Sequence, residues 1–367
     1  MKIQSTIEKI SHAVGKVQKI SAKNVSLPIL ENVLLVAEKN NLVMRATNLH
    51  VGVEVSVPVK VEHEGTVAVN LAVFSSIISS IKNERNITLS LDEQILNITT
   101  EDSSMELKTF PFEDFPTLPQ PKEENFFMLP IEDFVNGVRS VMYSASVSDI
   151  KPEISSVYIY TQEGNLVFVS TDSFRLAEKR IAIKGLEDFP GVIVPIKNIQ
   201  ECVKVFAGDI SEVKLVIEKN QLSIISPDTY FTSRIVDGNY PDYQQIIPET
   251  FSTEAVVLKD DLTQTLRLVN VFSNTFNQVS IKTIAESGKI SISSRNTDVG
   301  ENDSHVDAAI TGDNVETYVN HRYISDIFTS LSSSDSISFS FLEKNKPFMV
   351  RGVGDTSFLY LIMPMNR

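Results

Sequence analysis

Apolar residues recur along this chain in two alternating rhythms. Ile7, Ile10, Val14, Val17 and Ile20 are spaced by three and four, the signature of one helix face. Ser5 or Thr6 stands where an N-cap belongs, so a helix is predicted over 5–23. Lys9, His12, Lys16, Lys19 and Lys23 recur at the same spacing on another face. The rhythm then switches to alternation, predicting strands over 29–38, 42–47 and 51–59, with Asn40-Asn41 as a turn. Asn70 is placed to cap a second helix over 71–82, with Phe74, Ile77, Ile78 and Ile81 inward. Strands follow over 87–91, 95–100 and 105–110.

The same succession occurs three times. Leu166–Ala177 reads as a strand, a Thr-Asp turn and a second strand, and similar stretches begin at Asn41 and Gly288, a step of about 124 residues each way. Val69, Val194 and Val319 are 125 apart, as are Phe115-Pro116 and Tyr240-Pro241. A constant step in constant order marks a domain-sized repeat. Each unit reads as helix, three strands, helix, three strands, an α+β architecture of antiparallel meanders with helices on one face. The boundaries are predicted at 1–124, 125–249 and 250–367, three units in line that make a curved array.

Composition narrows the class. The 367 residues suffice for three units that each bury a core. No run of 18 apolar residues is present, and the N-terminus opens an amphipathic segment, so neither a membrane span nor a signal core is expected. Cys202 is the one cysteine, which fits a reducing cytoplasm. Candidate chemistry is sparse. There is no phosphate-binding Gly-Lys-Ser/Thr loop and no Gly-x-Ser-x-Gly elbow, and Gly352-Val-Gly354 reads as a hairpin turn. The five histidines form no i, i+4 pair, so neither metal nor cofactor is expected. Asn48 and Asp172 recur in the repeat and suit turns rather than catalysis.

The net charge of −14 alone argues against a nucleic-acid binder. Its distribution changes that picture. The six predicted helices carry +4 together and the rest of the chain −18. Lys197 and Lys204, seven apart, share a face of one helix. The lysine stripes are open to two readings: a solvated surface, or helices that face a polyanion through sequence-independent phosphate contacts.

The threefold repeat, Leu27-Pro-Ile-Leu30, Thr171-Asp-Ser-Phe-Arg-Leu-Ala177, Tyr240-Pro-Asp-Tyr243 with Ile247-Pro248, and Met363-Pro-Met365 together resemble the bacterial DNA polymerase III beta subunit, the sliding-clamp family, over the whole chain. The resemblance implies three clamp-fold domains, and a head-to-tail homodimer whose six domains form a ring with helices lining the hole. Such a ring encircles double-stranded DNA without reading sequence and does no chemistry. It tethers the replicative polymerase, the clamp loader and repair factors through short peptide motifs. The implied peptide pocket lies between the second and third domains. Its walls would be Ile154, Thr171, Ser173, Phe174, Arg175, Leu176, Pro241 and Ile246, with Lys151, Gln245 and Pro347 at the rim. Leu361 and Ile362 would supply the floor, and Met363, Pro364 and Met365 would close it.

The chain departs from the family pattern where Ser173-Phe174 replaces Gly-His or Gly-Tyr, and where Lys151 and Gln245 replace common basic residues. The implied DNA-facing set is Lys9, His12, Lys16, Lys19, Lys23, Asn24, Lys197 and Lys204. The implied dimer seam sets Met105 and Leu107 against Val271 and Phe272. Two other readings stand beside this one: a three-repeat adaptor or ligand-binding scaffold that never encircles DNA, and an enzyme, for which no catalytic set can be assembled.

Overall fold

The computed structural model describes residues 1–20, 27–122, 126–186, 188–189, 191–332, 334–343 and 345–365. The first repeat contains β1 (Lys2–Thr6), α1 (Ile7–Val17), β2 (Asn32–Glu38), β3 (Asn41–Thr47), β4 (Val51–Pro58), β5 (Lys60–His63), β6 (Gly65–Asn70), α2 (Leu71–Ser80), β7 (Asn86–Asp92), β8 (Ile95–Thr99) and β9 (Ser104–Phe110). The second contains β10 (Phe127–Pro130), α3 (Ile131–Val141), β11 (Ser156–Gln162), β12 (Asn165–Thr171), β13 (Arg175–Ala182), β14 (Val192–Pro195), α4 (Ile196–Val205), β15 (Glu212–Glu218), β16 (Gln221–Ile225) and β17 (Thr229–Arg234). The third contains β18 (Thr253–Leu258), α5 (Lys259–Val271), β19 (Gln278–Ile284), β20 (Lys289–Asn296), β21 (Gly300–Thr311), β22 (Glu316–Asn320), α6 (His321–Asp326), β23 (Ser336–Phe341), β24 (Phe348–Gly352) and β25 (Phe358–Ile362).

Each half-repeat is therefore a short strand running straight into a helix, followed by a three-strand meander, to which the first half-repeat adds β5 against β1. The predicted order of helix, three strands, helix, three strands omits that leading strand. The strands before the helices span only four to six residues and have no turn separating them from the helix, so helical periodicity absorbs them. The first helix shows the effect. Residues 5–6 belong to β1 rather than to a helix beginning at 5, and the helix ends at Val17 rather than 23. Thr6 sits at the N-cap position, but its side chain makes no capping hydrogen bond. Asn70 and Asn320 do cap, accepting from the N–H of Val73 and of Arg322.

The chain condenses into two compact units, residues 1–135 with 197–237, and residues 136–196 with 238–367. The middle repeat is shared between them. The first unit holds a 13-stranded sheet in the order β10-β15-β16-β17-β4-β3-β2-β6-β9-β8-β7-β1-β5. The second holds a 12-stranded sheet in the order β14-β11-β12-β13-β25-β24-β23-β18-β21-β20-β19-β22. Each sheet thus crosses from one repeat to the next through a single strand pair, β4 with β17 and β13 with β25. In the first unit α1 packs on β3, β4 and α2, and its Ile7, Ile10, Ala13, Val14 and Val17 are buried. In the second, α5 packs on β18, β20, β21 and α6 through Leu262, Leu266 and Val269.

Candidate functional site

The two cross-repeat strand pairs share one local frame. In the second unit the turn from β12 to β13 is closed by Thr171 Oγ1 donating to the Arg175 carbonyl at 2.7 Å. The N–H of Ser173 donates to that hydroxyl at 3.1 Å, and the N–H groups of Phe174 and Arg175 donate to Asp172 Oδ1, both at 2.9 Å. Ser173 sits at φ 75°. The turn from β3 to β4 repeats the design, with Thr47 Oγ1 on the Val51 carbonyl and the N–H groups of His50 and Val51 on Asn48 Oδ1. Leu49 takes φ 71° there. A short Thr-Asx pair supplies both acceptors from side chains, which lets a non-glycine residue hold the left-handed conformation. The chain then docks on each turn: Met363 N–H donates to the Phe174 carbonyl at 2.8 Å, and Arg234 N–H to the His50 carbonyl at 2.9 Å.

The second unit builds an apolar cluster on this frame. Arg175 lies opposite Ile362 and Leu176 opposite Leu361. Successive strand residues point to opposite faces, so the two pairs part company. Leu176 and Leu361 join Val167, Val169, Tyr243, Met349 and Leu359 in one core cluster, with Tyr158, Tyr160, Tyr240, Ile247 and Phe251 packed against it. Tyr240 stacks on Tyr158 at 4.8 Å between ring centroids. Burial drives the Tyr243 phenol far above its usual range, and the adjoining Glu178 carboxylate, which accepts its O–H, pushes the same way. Ile362 is fully buried opposite Phe348, on the other face. The expectation that Leu361 and Ile362 share one floor is corrected: Leu361 joins the cluster and Ile362 belongs to the opposite side of the strand.

On that opposite side Arg175 is clamped. Its Nε donates to Asp172 Oδ2 at 3.0 Å, one terminal nitrogen to Asp326 Oδ2 at 2.5 Å, and the other to the Tyr143 carbonyl at 2.6 Å. The guanidinium lies 4.6 Å from the Tyr323 ring centroid and 5.8 Å from that of Tyr143. Sequence reading missed Tyr143, Tyr323 and Asp326. A signal was available, because Asp326 is the sixth residue of α6 and Glu201, which accepts from Asn48 Nδ2 at 3.2 Å, is the sixth of α4. The two helix carboxylates occupy matching positions beside the two turns.

The remaining predicted site residues are exposed or half-buried. Phe174 is 61% exposed, Ile246 48% and Met363 36%. Lys151, Ser173, Pro241 and Gln245 are exposed, and Ile154, Pro347, Pro364 and Met365 are half-buried. Gln245 Nε2 donates to Asp242 at 2.6 Å. Met365 N–H donates to the Tyr318 carbonyl at 2.7 Å, so the Met-Pro-Met tail is tied at both ends while Met363 stays open to solvent.

The lysine stripe splits. Lys9, His12, Lys19, Lys197 and Lys204 are exposed. Lys16 is not a surface residue, which corrects its assignment to a DNA-facing set. It is 6% exposed, its Nζ lies 2.8 Å from Asp209 Oδ2, 3.5 Å from Asp228 Oδ1 and 2.9 Å from Thr229 Oγ1, and it stands 6.0 Å from the Phe206 ring centroid. Helical spacing alone cannot reveal partners about 200 residues away in the chain. Lys23 and Asn24 lie outside the described residues.

Among the predicted seam residues, Leu107 is buried, Met105 and Phe272 are half-buried and Val271 is exposed. In each unit one strand inside the sheet is also paired on one side alone over part of its length. Residues 104–108 of β9 pair with β8 alone, since β6 meets β9 only at Thr109 and Phe110. Residues 300–307 of β21 pair with β20 alone, since β18 takes residues 308–311.

Comparison with known proteins gives one consistent result. Family models of the DNA polymerase III beta subunit match in chain order: the N-terminal domain over residues 1–119, the central domain over 128–242 and the C-terminal domain over 244–366. A beta sliding clamp of Synechocystis is 27% identical, with 100% of this chain and 99% of the relative covered. The sliding clamp of Bacillus subtilis superimposes with a TM-score of 0.92 at 23% identity, covering 100% and 99% of the two chains. The clamp of Pseudomonas aeruginosa bound to griselimycin gives 0.94 at 23% identity, with full coverage of both.

Proposed function

We propose, from the premise that this chain belongs to the DNA polymerase III beta-subunit family, that it is a non-enzymatic processivity factor. Two copies close into a ring around double-stranded DNA in the cytoplasm. The observation that carries this reading is the pair of bare edges. The repeat makes three equivalent strand junctions. Two are filled within the chain, β4 by β17 and β13 by β25, each time by the last strand of the following repeat. Among the described residues the third strand of the series, β21, is paired on one side alone over residues 300–307, and so is the one remaining last strand, β9, over 104–108. A second copy placed head to tail supplies each of these two edges with the other. Val271 and Phe272 of one protomer then face the Met105 and Leu107 strand of its partner. Domains divided at 1–124, 125–249 and 250–367 make each junction a domain boundary.

Within this reading Lys9, His12, Lys19, Lys197 and Lys204 face the duplex. Their phosphate contacts are sequence-independent and weaken with salt, whereas a closed ring stays on a closed circle whatever its net charge. The apolar site of the second unit takes a short peptide from the replicative polymerase, the clamp loader or repair factors. Leu176 and Leu361 underlie that site, Phe174, Pro241, Ile246 and Met363 form its open rim, and methionines adapt to several partners. No cofactor or metal enters this function.

The test is retention on DNA topology. Loaded by its clamp loader onto a nicked circle, the protein is expected to comigrate with the circle through gel filtration at high salt, and to be lost once the circle is cut at one site. Equal loss from circular and linear DNA would defeat encirclement and favour the adaptor reading.

A further inference from the structure

We infer that the seam between two copies sets Glu106 of one protomer directly opposite the partner's Glu301, which makes the seam the electrostatically weakest of the three strand junctions. The inference rests on the head-to-tail dimer proposed above and adds the register that the internal repeat imposes on it.

The register follows from the two junctions already formed. Gly52 lies opposite Thr232, and Leu176 opposite Leu361. On the receiving side, the residue facing each across its own turn is Thr47 for Gly52 and Thr171 for Leu176. In the third repeat Arg295 lies opposite Glu301. A second marker fixes the alignment. Ser170 Oγ donates to the carbonyl of Val141, the last residue of α3, and Ser294 Oγ donates to that of Val269 near the end of α5, at 2.9 Å. Ser294 precedes Arg295 as Ser170 precedes Thr171, so Glu301 is the counterpart of Gly52 and Leu176.

On the incoming side, Thr232 lies opposite Ser223, the third residue of β16, and Glu106 lies opposite Asn97, the third residue of β8. The hairpins that carry β16 and β8 match residue for residue, with Glu218 opposite Gln221 and Asp92 opposite Ile95. Glu106 is therefore the counterpart of Thr232 and Leu361. Side chains opposite each other on neighbouring strands share a face and stand in contact. The two internal junctions place Gly with Thr and Leu with Leu at this point, and the third places two carboxylates. Both are exposed in the single chain; Arg295 lies 3.9 Å from Glu301 in a pair that solvent screens, and Lys108, two residues along β9, shares the exposed face of Glu106. The same register turns Met105 and Leu107 to the other face, where the apolar part of the seam lies.

Like charges directly opposite on a sheet destabilise the pairing, and a ring has two such seams. Replacing one member by a cation is expected to tighten the dimer roughly 2- to 30-fold at low salt, the square of the factor for one opposed pair. The experiment measures the dimer dissociation constant by sedimentation velocity for the native chain, Glu106→Lys, Glu301→Lys and the double variant, with thermal unfolding as a control for folding. Each single reversal should tighten the dimer, and the double reversal, which restores like charges, should return toward the native constant. Single reversals without tightening, or a double variant tighter than both singles, would overturn the register. A native chain that stays monomeric at every concentration would instead remove the dimer reading on which the inference rests.

Discussion

The two internal strand junctions have the same backbone and opposite characters. Both have a Thr-Asx turn closed by the same hydrogen bonds, a helix carboxylate at matching positions, and a backbone N–H docked on the turn. At the β4–β17 junction the side chains seal it. Gly52 leaves room that the Leu118 side chain fills, so closely that a Cβ at residue 52 would collide with it. Its neighbours are polar: Thr232, Ser223 and Tyr230, whose O–H donates to the Pro119 carbonyl. Lys16 then ties α1 to Asp209 and Asp228 under Phe206. At the β13–β25 junction the equivalent positions hold Leu176, Leu361 and Met349, and the chain leaves as an apolar tail. One hydrogen-bonded frame thus carries a polar joint or an apolar one, according to three or four side chains and where the chain goes next.

The largest expected effect is on the apolar junction. Deleting residues 363–367 removes Met363 and both ties of the tail, and should abolish binding of a labelled polymerase peptide in fluorescence anisotropy while leaving the dimer constant unchanged. Unaltered peptide affinity would mean that this junction is not the docking site.

The polar junction is broken through Lys16. Lys16→Ala leaves two partly solvated carboxylates beside the gap and should cost about 1–3 kcal/mol in denaturant unfolding, below the loss for a fully buried pair. Lys19→Ala, on the exposed part of the same helix, should stay within about 0.5 kcal/mol. Equal costs for the two would show that Lys16 is not a brace. Gly52→Leu copies the apolar junction's side chain into the polar one, where Leu118 leaves no space, and should destabilise by about 1–3 kcal/mol.

A smaller change sharpens the comparison at the rim. Phe174→Ala should weaken the same peptide by about 1 kcal/mol, or roughly fivefold, without altering the unfolding midpoint.

The smallest effect is the response of the brace to acid. Burial would raise the Asp228 carboxyl, but the Thr229 hydroxyl and the Lys16 charge outweigh it and hold it below the usual carboxylate value. A folded value below the unfolded one adds stability above the ordinary carboxylate range and loses it as pH falls from that range through the lowered folded value. The native chain should therefore lose more stability than Lys16→Ala when pH is lowered from 6 toward about 3.5. Parallel losses would show that the charge of Lys16 does not hold Asp228.

The repeat and the turns were legible because their cause is local. Thr171-Asp172 and Thr47-Asn48 carry their own acceptors, so the same letters recur wherever the same turn is needed. The leading strands were not legible, because Lys2–Thr6 has one fully buried residue, Ile3, and no break before the helix. Lys16 misled because periodicity assigns a residue to a helix face but not to whatever packs on that face, and Asp209 and Asp228 come from the second repeat. Ile362 misled for a simpler reason: two adjacent strand residues were assigned to one floor, which a pleated strand does not allow. The surroundings of Arg175 come from α6 and from the end of α3, and show only when the two helix carboxylates are compared across repeats.

Negative-stain electron microscopy with class averaging, at a concentration above the dimer constant, tests the central claim that the two bare edges are the missing third junction. The account predicts six-lobed closed rings with a hole wide enough for a duplex. Three-lobed arcs that persist at high concentration, with both edges still open, would contradict it.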